Sequence, residues 1–207
     1  MLLLLLSIFI LLFSAALALC LSGSPARAQD AAAYGAVAAS AVGVVPAVGA
    51  LTGGAAEDFS LPWPVPLGSL SLTLDPLSAL FLVPVFILTA LAAVYGAGYL
   101  KHYAGRKPLG FAWAAFNLLS ASMVLVLIAS NAVLFMLGWE LMAASSFLLV
   151  LFEHEREQSR RAAFVYLTTG AAGAMALMFF FALLGCGSTL DFSLFRCPQG
   201  ALASAAF

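Results

Sequence analysis

The chain has 207 residues, 64% hydrophobic and only 8% charged, with a formal net charge of −1 and a mean hydropathy of +1.11. Soluble domains carry roughly a quarter charged residues and a near-even apolar share, so a soluble globular fold is excluded and an all-α, polytopic membrane bundle is expected. The Lys and Arg residues lie in short clusters between apolar runs, which argues against a nucleic-acid partner, and Cys20, Cys186 and Cys197 lack the close spacing of a zinc, haem or iron–sulfur site, so no metal, cofactor or redox centre is expected in this chain.

The sequence predicts a single membrane domain over residues 1–207, with helices at about 2–21, 31–56, 76–100, 109–129, 131–152 and 162–186 and the start of a seventh from Gly200. The first run is long enough to span, and Ser24-Pro25-Ala26-Arg27-Ala28 after it ends in an A-x-A pattern, so a cleaved leader is the rival to a retained helix. No Lys or Arg precedes the run and it exceeds the usual signal core, which favours retention. The second run is built from Ala, Gly and Val around Pro46; its insertion is marginal, its small residues suit close helix packing, and Pro46 should kink it.

Residues 57–75 turn polar and extended, with Pro62, Pro64 and Pro66 alternating before a polar–apolar alternation from Ser69 to Leu74; a hairpin loop is expected there. Asp75-Pro76 then supplies a cap followed by the one proline a helix start accepts. The 44-residue apolar stretch from Leu109 to Phe152 would make a helix of about 66 Å, twice the thickness of a bilayer, so it folds back at the only polar pair near its middle, Ser130-Asn131. If the first two runs both span, Arg27, Lys101, Arg106, Lys107, Arg156, Arg160 and Arg161 fall on one side and only Arg196 on the other. The positive-inside rule makes that side cytoplasmic, the hairpin external and the N-terminus external.

Within the fifth run, NAVLFMLGWELMAASSFLLV from Asn131 to Val150, a single acid stands near the middle, Glu140. An ionised carboxylate at membrane depth is costly, and such residues mark ion or proton paths more often than they serve as neutral hydrogen-bonding groups between helices. Met136, Trp139 and Met142 around it read as packing residues, and His102 and His154 as solvated loop histidines. Cys186 and Cys197 fall on the external side, where a disulfide is open to them, and Cys20 reads as an ordinary buried thiol.

Four blocks carry a family likeness: Leu74-Asp75-Pro76-Leu77-Ser78, the GWELM core of the fifth run, Arg161-Ala162-Ala163-Phe164-Val165-Tyr166-Leu167, and GSTLDFSLFR. From about residue 70 to residue 196 the chain resembles the hydrogenase-4 component B and formate hydrogenlyase subunit 3 family, which belongs with the antiporter-like, proton-pumping subunits of respiratory complex I. The resemblance implies a fourteen-helix fold of two inverted five-helix repeats, in which an acid on helix five, matched here by Glu140 as the proton carrier, pairs with a lysine on helix seven. It also implies other membrane subunits of a hydrogenase or NADH dehydrogenase-like complex as partners, beside the lipid bilayer and protons, and a bacterial-type inner membrane. The sequence stops where helix seven would begin, so an N-terminal portion that does not pump alone is expected. Where relatives often carry a histidine on helix six, this chain reads Thr169-Gly170-Ala171-Ala172-Gly173, a small-residue packing face. The alternatives are a non-catalytic membrane anchor or assembly element, and a Mrp-like cation/proton antiporter subunit.

Overall fold

The computed structural model of the protein describes residues 1–54, 56–65, 68–103, 107–185 and 190–192. Its elements are α1 (Leu2–Cys20), α2 (Pro25–Leu51), a hairpin of β1 (Glu57–Val65) and β2 (Gly68–Leu74), then α3 (Pro76–Tyr99), α4 (Leu109–Ile128), α5 (Ala132–Val150) and α6 (Glu157–Gly185). Among the described residues six helices are long and apolar enough to cross a membrane, and the protein is a multi-pass membrane helix bundle. Cys186 and Cys197, between which a disulfide is open, Arg106, Arg196 and the start of a seventh helix lie outside the described residues.

These helices are apolar all round, so hydrophobicity does not choose the face that packs. Lipid is as apolar as leucine; what rewards association is close approach, which small residues allow. The inner faces are accordingly Ala15, Ala18, Ala32, Ala36, Ala39, Ala93 and Ala121, while Leu77, Leu80, Leu88 and Leu91 of α3 point outward. On these faces α1 packs against α2 and α4, α2 against α3, and α4 against α5. One contact is especially close: the Phe86 ring of α3 occupies the space that a Cβ on Gly43 of α2 would fill. Among the described residues α6 rests mainly on α5 and is mostly exposed, whereas α4 is the most buried helix.

Two helices start earlier than the hydropathy pattern suggests. α2 begins at Pro25, not Ala31, because Ser24-Pro25 provides a helix start and the polar residues Arg27, Gln29 and Asp30 ride in its first turns. It ends at Leu51, before Gly53, whose φ of 102° suits glycine and stops the helix, and it runs through Pro46 as one helix. α6 begins at Glu157 and takes Arg160 and Arg161 into its opening turns. Cys20, expected to be buried, is exposed at the end of α1.

At one end of the bundle the hairpin is stitched to the α4–α5 turn. The Ser130 amide donates to the Ser71 carbonyl at 3.0 Å, Ser130 Oγ donates to Thr73 Oγ1 at 2.7 Å, and Thr73 donates to Asp58 at 2.7 Å. Asn131, fully buried, caps α5 by accepting from the Val133 amide at 2.8 Å, and its Nδ2 donates to Asp191 Oδ1 at 2.6 Å. Asp75 caps α3 through the Ser78 amide at 2.7 Å, and those hydrogen bonds hold its carboxyl below the usual carboxylate range. The N-terminal ammonium pairs with Glu57 at this same end.

The opposite end is basic. Lys107, before α4, reaches across to the α5–α6 loop, where Nζ donates to the Phe152 carbonyl at 3.0 Å and to Glu155 Oε2 at 2.9 Å, and sits 4.9 Å from the centroid of the Phe152 ring. The Tyr103 hydroxyl donates to Glu153, which also pairs with Arg156 at 2.8 Å. The two loops are thereby clasped to each other.

Candidate functional site

Glu140 sits in the middle of α5, nine residues beyond the capping Asn131, about 12 Å from the first residue of the helix and about 15 Å from the last at 1.5 Å per residue. It is on the face turned toward α6, where an open groove of about 400 Å³ is lined by Met136, Leu137 and Glu140 of α5 and by Met178, Phe181 and Ala182 of α6. Ala132 and Val133 close the groove toward the hairpin end, together with Leu190. Every lining residue but Glu140 is apolar. Among the described residues the Glu140 carboxylate has no hydrogen-bond or ion-pair partner, and Arg160 and Arg161, a full helix-half away, do not reach it.

The helical period explains which neighbours the acid has. Ala132, Val133, Met136, Leu137 and Glu140 recur at three- and four-residue steps, which stacks them on one face of α5. Met136 therefore lines the groove beside Glu140, while Trp139, one residue earlier, stacks instead on Phe135 with ring centroids 5.9 Å apart. The spacing alone could have picked out Met136. Gly170 and Gly173 have nothing within 4 Å of where a Cβ would stand, so the small-residue face of α6 is uncovered among the described residues and makes no packing contact there.

A larger cavity than this groove lies elsewhere. A cleft of about 1010 Å³ at the basic end is lined by Tyr95, Tyr99, His102, Lys107, Glu153 and Arg156, among others. His102 faces this charged cleft and His154 lies by a smaller pocket with Pro108 and Phe152. Glu155 is held below its usual carboxylate range, first by the hydrogen bond from Lys107. The charges of this cleft are already matched within it, which makes it a fastening between loops, whereas Glu140 is the acid left facing open space in the membrane-spanning part.

Sequence reasoning missed a second polar site altogether. Inside the bundle Asn117 of α4, fully buried, donates through Nδ2 to Ser14 Oγ of α1 at 2.8 Å and to the Ala32 carbonyl of α2 at 3.2 Å. Gln29 of α2 donates through Nε2 to the Ala97 carbonyl of α3 at 2.8 Å. Four helices thus meet at one polar node. Isolated polar residues in apolar runs were its only sequence signal.

Comparison with known proteins gives the chain its relatives. Residues 66–107 match the family model described as NADH-Ubiquinone oxidoreductase (complex I), chain 5 N-terminus, and residues 129–199 match that described as NADH:quinone oxidoreductase/Mrp antiporter, TM. Together the two segments take in more than half of the chain, and Glu140 lies within the second. The chain is 33% identical to hydrogenase-4 component B of Escherichia coli (strain K12) over 149 residues, 70% of this chain and 22% of that protein. It is 32% identical to NADH-quinone oxidoreductase subunit L of Mycobacterium tuberculosis (strain CDC 1551 / Oshkosh) over 122 residues, 56% of this chain and 19% of the relative. In fold it is similar to a chain of the Mrp complex from Dietzia sp. DQ12-45-1b, with a TM-score of 0.72 and 23% identity over 92% of this chain and 20% of that one. The chain spans about a fifth of the length of these curated relatives.

Proposed function

We propose, for a chain that belongs to the NADH:quinone oxidoreductase/Mrp antiporter family of membrane subunits, that it forms the Glu140-bearing part of a proton-translocating subunit. The single observation that carries this is the placement of Glu140: a lone carboxylate at mid-membrane depth, aimed into an open, otherwise apolar groove between α5 and α6. Such a groove offers a proton one good acceptor. It suits a metal cation poorly, because sodium or potassium needs several oxygen ligands and the remaining walls supply none. A Mrp-like exchange of a metal cation for a proton is therefore the weaker assignment for this site.

Its partners are other membrane subunits of a hydrogenase or complex I-like assembly, which handle the electrons. The uncovered faces of α5 and α6 support this, since they present small residues and one acid to a neighbour. A cation brought close to Glu140 by a further helix would favour its charged form, and withdrawal of that cation would favour proton uptake; the proposed translocation step is this alternation. The basic end of the bundle is the cytoplasmic one and the membrane is a bacterial-type inner membrane, in line with the clustering of Lys and Arg.

Glu140→Gln keeps size and hydrogen bonding but does not ionise. In the assembled complex, reconstituted into sealed vesicles and driven by its electron donor, the substitution is expected to abolish the pH gradient while leaving assembly intact. An undiminished gradient at normal turnover would refute the role of Glu140.

A further inference from the structure

Three further polar atoms are buried at the polar node inside α1 to α4. Asn117 Oδ1, Gln29 Oε1 and Trp113 Nε1 are all buried, and none has a hydrogen-bond partner among the described residues. The residues carrying them are 0%, 3% and 2% exposed. Buried polar side-chain atoms are nearly always paired with protein or with ordered water, and inside a membrane the demand is stricter, because no bulk water relaxes it.

The residues that carry these atoms are neighbours across α2, α3 and α4. Trp113 and Asn117 stand one turn apart on the same face of α4. Asn117 bonds the carbonyl of Ala32, which is one turn along α2 from Gln29. Gln29 in turn bonds Ala97, the neighbour of Gly96, and the edge of the Trp113 ring lies 3.4 Å from where a Cβ on Gly96 would stand. Ala32, Ala33, Ala36, Ala93 and Ala114 belong to the same buried cluster as Trp113, so the side chains around the node are short.

The hydrogen-bond chemistry fixes which ligand suits the node. The carbonyl acceptors committed to Asn117 Nδ2 and Gln29 Nε2 set the orientation of both amides, so what each leaves over is an oxygen. The indole leaves an N–H. Two acceptors and one donor reject a cation, which the N–H opposes, and reject an anion, which both oxygens oppose. They match a water molecule that donates two hydrogen bonds and accepts one, the usual number of about three for a buried water. We propose that the junction of α1, α2, α3 and α4 binds an ordered water through Gln29 Oε1, Asn117 Oδ1 and Trp113 Nε1, a site separate from the Glu140 groove. Its route of entry is the surface groove of about 230 Å³ at the basic end, where Asp30, Tyr34, Val94 and Lys101 surround Gln29. The bound water completes the tie of α2 and α3 to α4 and sets their rotation.

Radiolytic footprinting of the full chain in its native membrane tests the site. A short X-ray pulse makes hydroxyl radicals from bound as well as bulk water, and mass spectrometry reads the oxygen added to each side chain. Trp113 is expected to be oxidised several-fold more than Phe86, an aromatic residue equally buried in the apolar half of the bundle. After rapid dilution into oxygen-18 water, Trp113 should still take up light oxygen at delays when the exposed loop residue His154 already takes up heavy oxygen. Oxidation of Trp113 no greater than that of Phe86, or heavy label arriving at the pace of His154, would overturn the proposal. Asn117→Leu should bring Trp113 down to the level of Phe86 with Phe86 unchanged. If that variant instead raises labelling at Phe86, the bundle has opened and Gln29→Met provides the comparison; Trp113 labelling that persists in a folded variant would also count against the site.

Discussion

Two acids show how differently one residue type behaves in this chain. Glu140 faces an apolar groove with no partner among the described residues, while Glu155 is engaged by Lys107 at 2.9 Å. Because Lys107 lowers the Glu155 carboxyl, the pair contributes fully above the ordinary glutamate range and is lost as pH falls through the lowered value. The clasp between the loop before α4 and the loop before α6 should therefore hold at neutral pH and loosen only in acid. A carbon-13 titration of the Glu155 carboxyl checks this: the midpoint should lie below the ordinary glutamate value in the native chain and rise toward it in Lys107→Gln. Equal midpoints in the two proteins would remove Lys107 as the cause.

At the scale of elements, packing is decided by glycine and alanine. Phe86 lies where a Gly43 side chain would go, so Gly43→Val must expel a fully buried ring from the α2–α3 contact. Overpacking of this kind typically costs about 1–3 kcal/mol. The variant should lower the temperature at which the detergent-solubilised chain aggregates, whereas Gly173→Val, with nothing within 4 Å, should not. In the assembled complex the second substitution is expected to reduce co-purification of partner subunits if, as proposed, the uncovered face of α6 is the one that meets a neighbour. Equal aggregation temperatures for the two variants would mean that the close approach of α2 and α3 is not a point of tension.

For the molecule as a whole, the two ends differ in charge and in construction. Arg27, Lys101, Lys107, Arg156, Arg160 and Arg161 gather at one end, and the hairpin, the Ser130–Asn131 turn and Asp191 at the other. Under the positive-inside rule single cysteines near Lys101 should resist an impermeant thiol reagent in whole cells, and one at Ser60 should react. Labelling at the first and protection at the second would reverse the proposed orientation.

What the amino-acid order determined by itself was everything that depends on local composition. Apolar runs of bilayer length specified six helices, Asp75-Pro76 and Ser130-Asn131 specified where α3 and α5 begin, and the alternation before Asp75 specified the hairpin. Glu140 was visible for the same reason, since a single acid in an apolar helix needs no tertiary information to stand out. Only the tertiary structure decided which face of each helix turns inward. A helix apolar on all sides has no stripe to read, and the choice falls to pairwise fits such as Gly43 against Phe86. For that reason the residues across the groove from Glu140, Met178 and Phe181, were invisible in the chain, as were the hydrogen bonds of Asn117 to Ser14 and of Gln29 to Ala97. Ser14 and Asn117 are 103 residues apart in sequence, and no periodicity within one helix encodes a hydrogen bond between two.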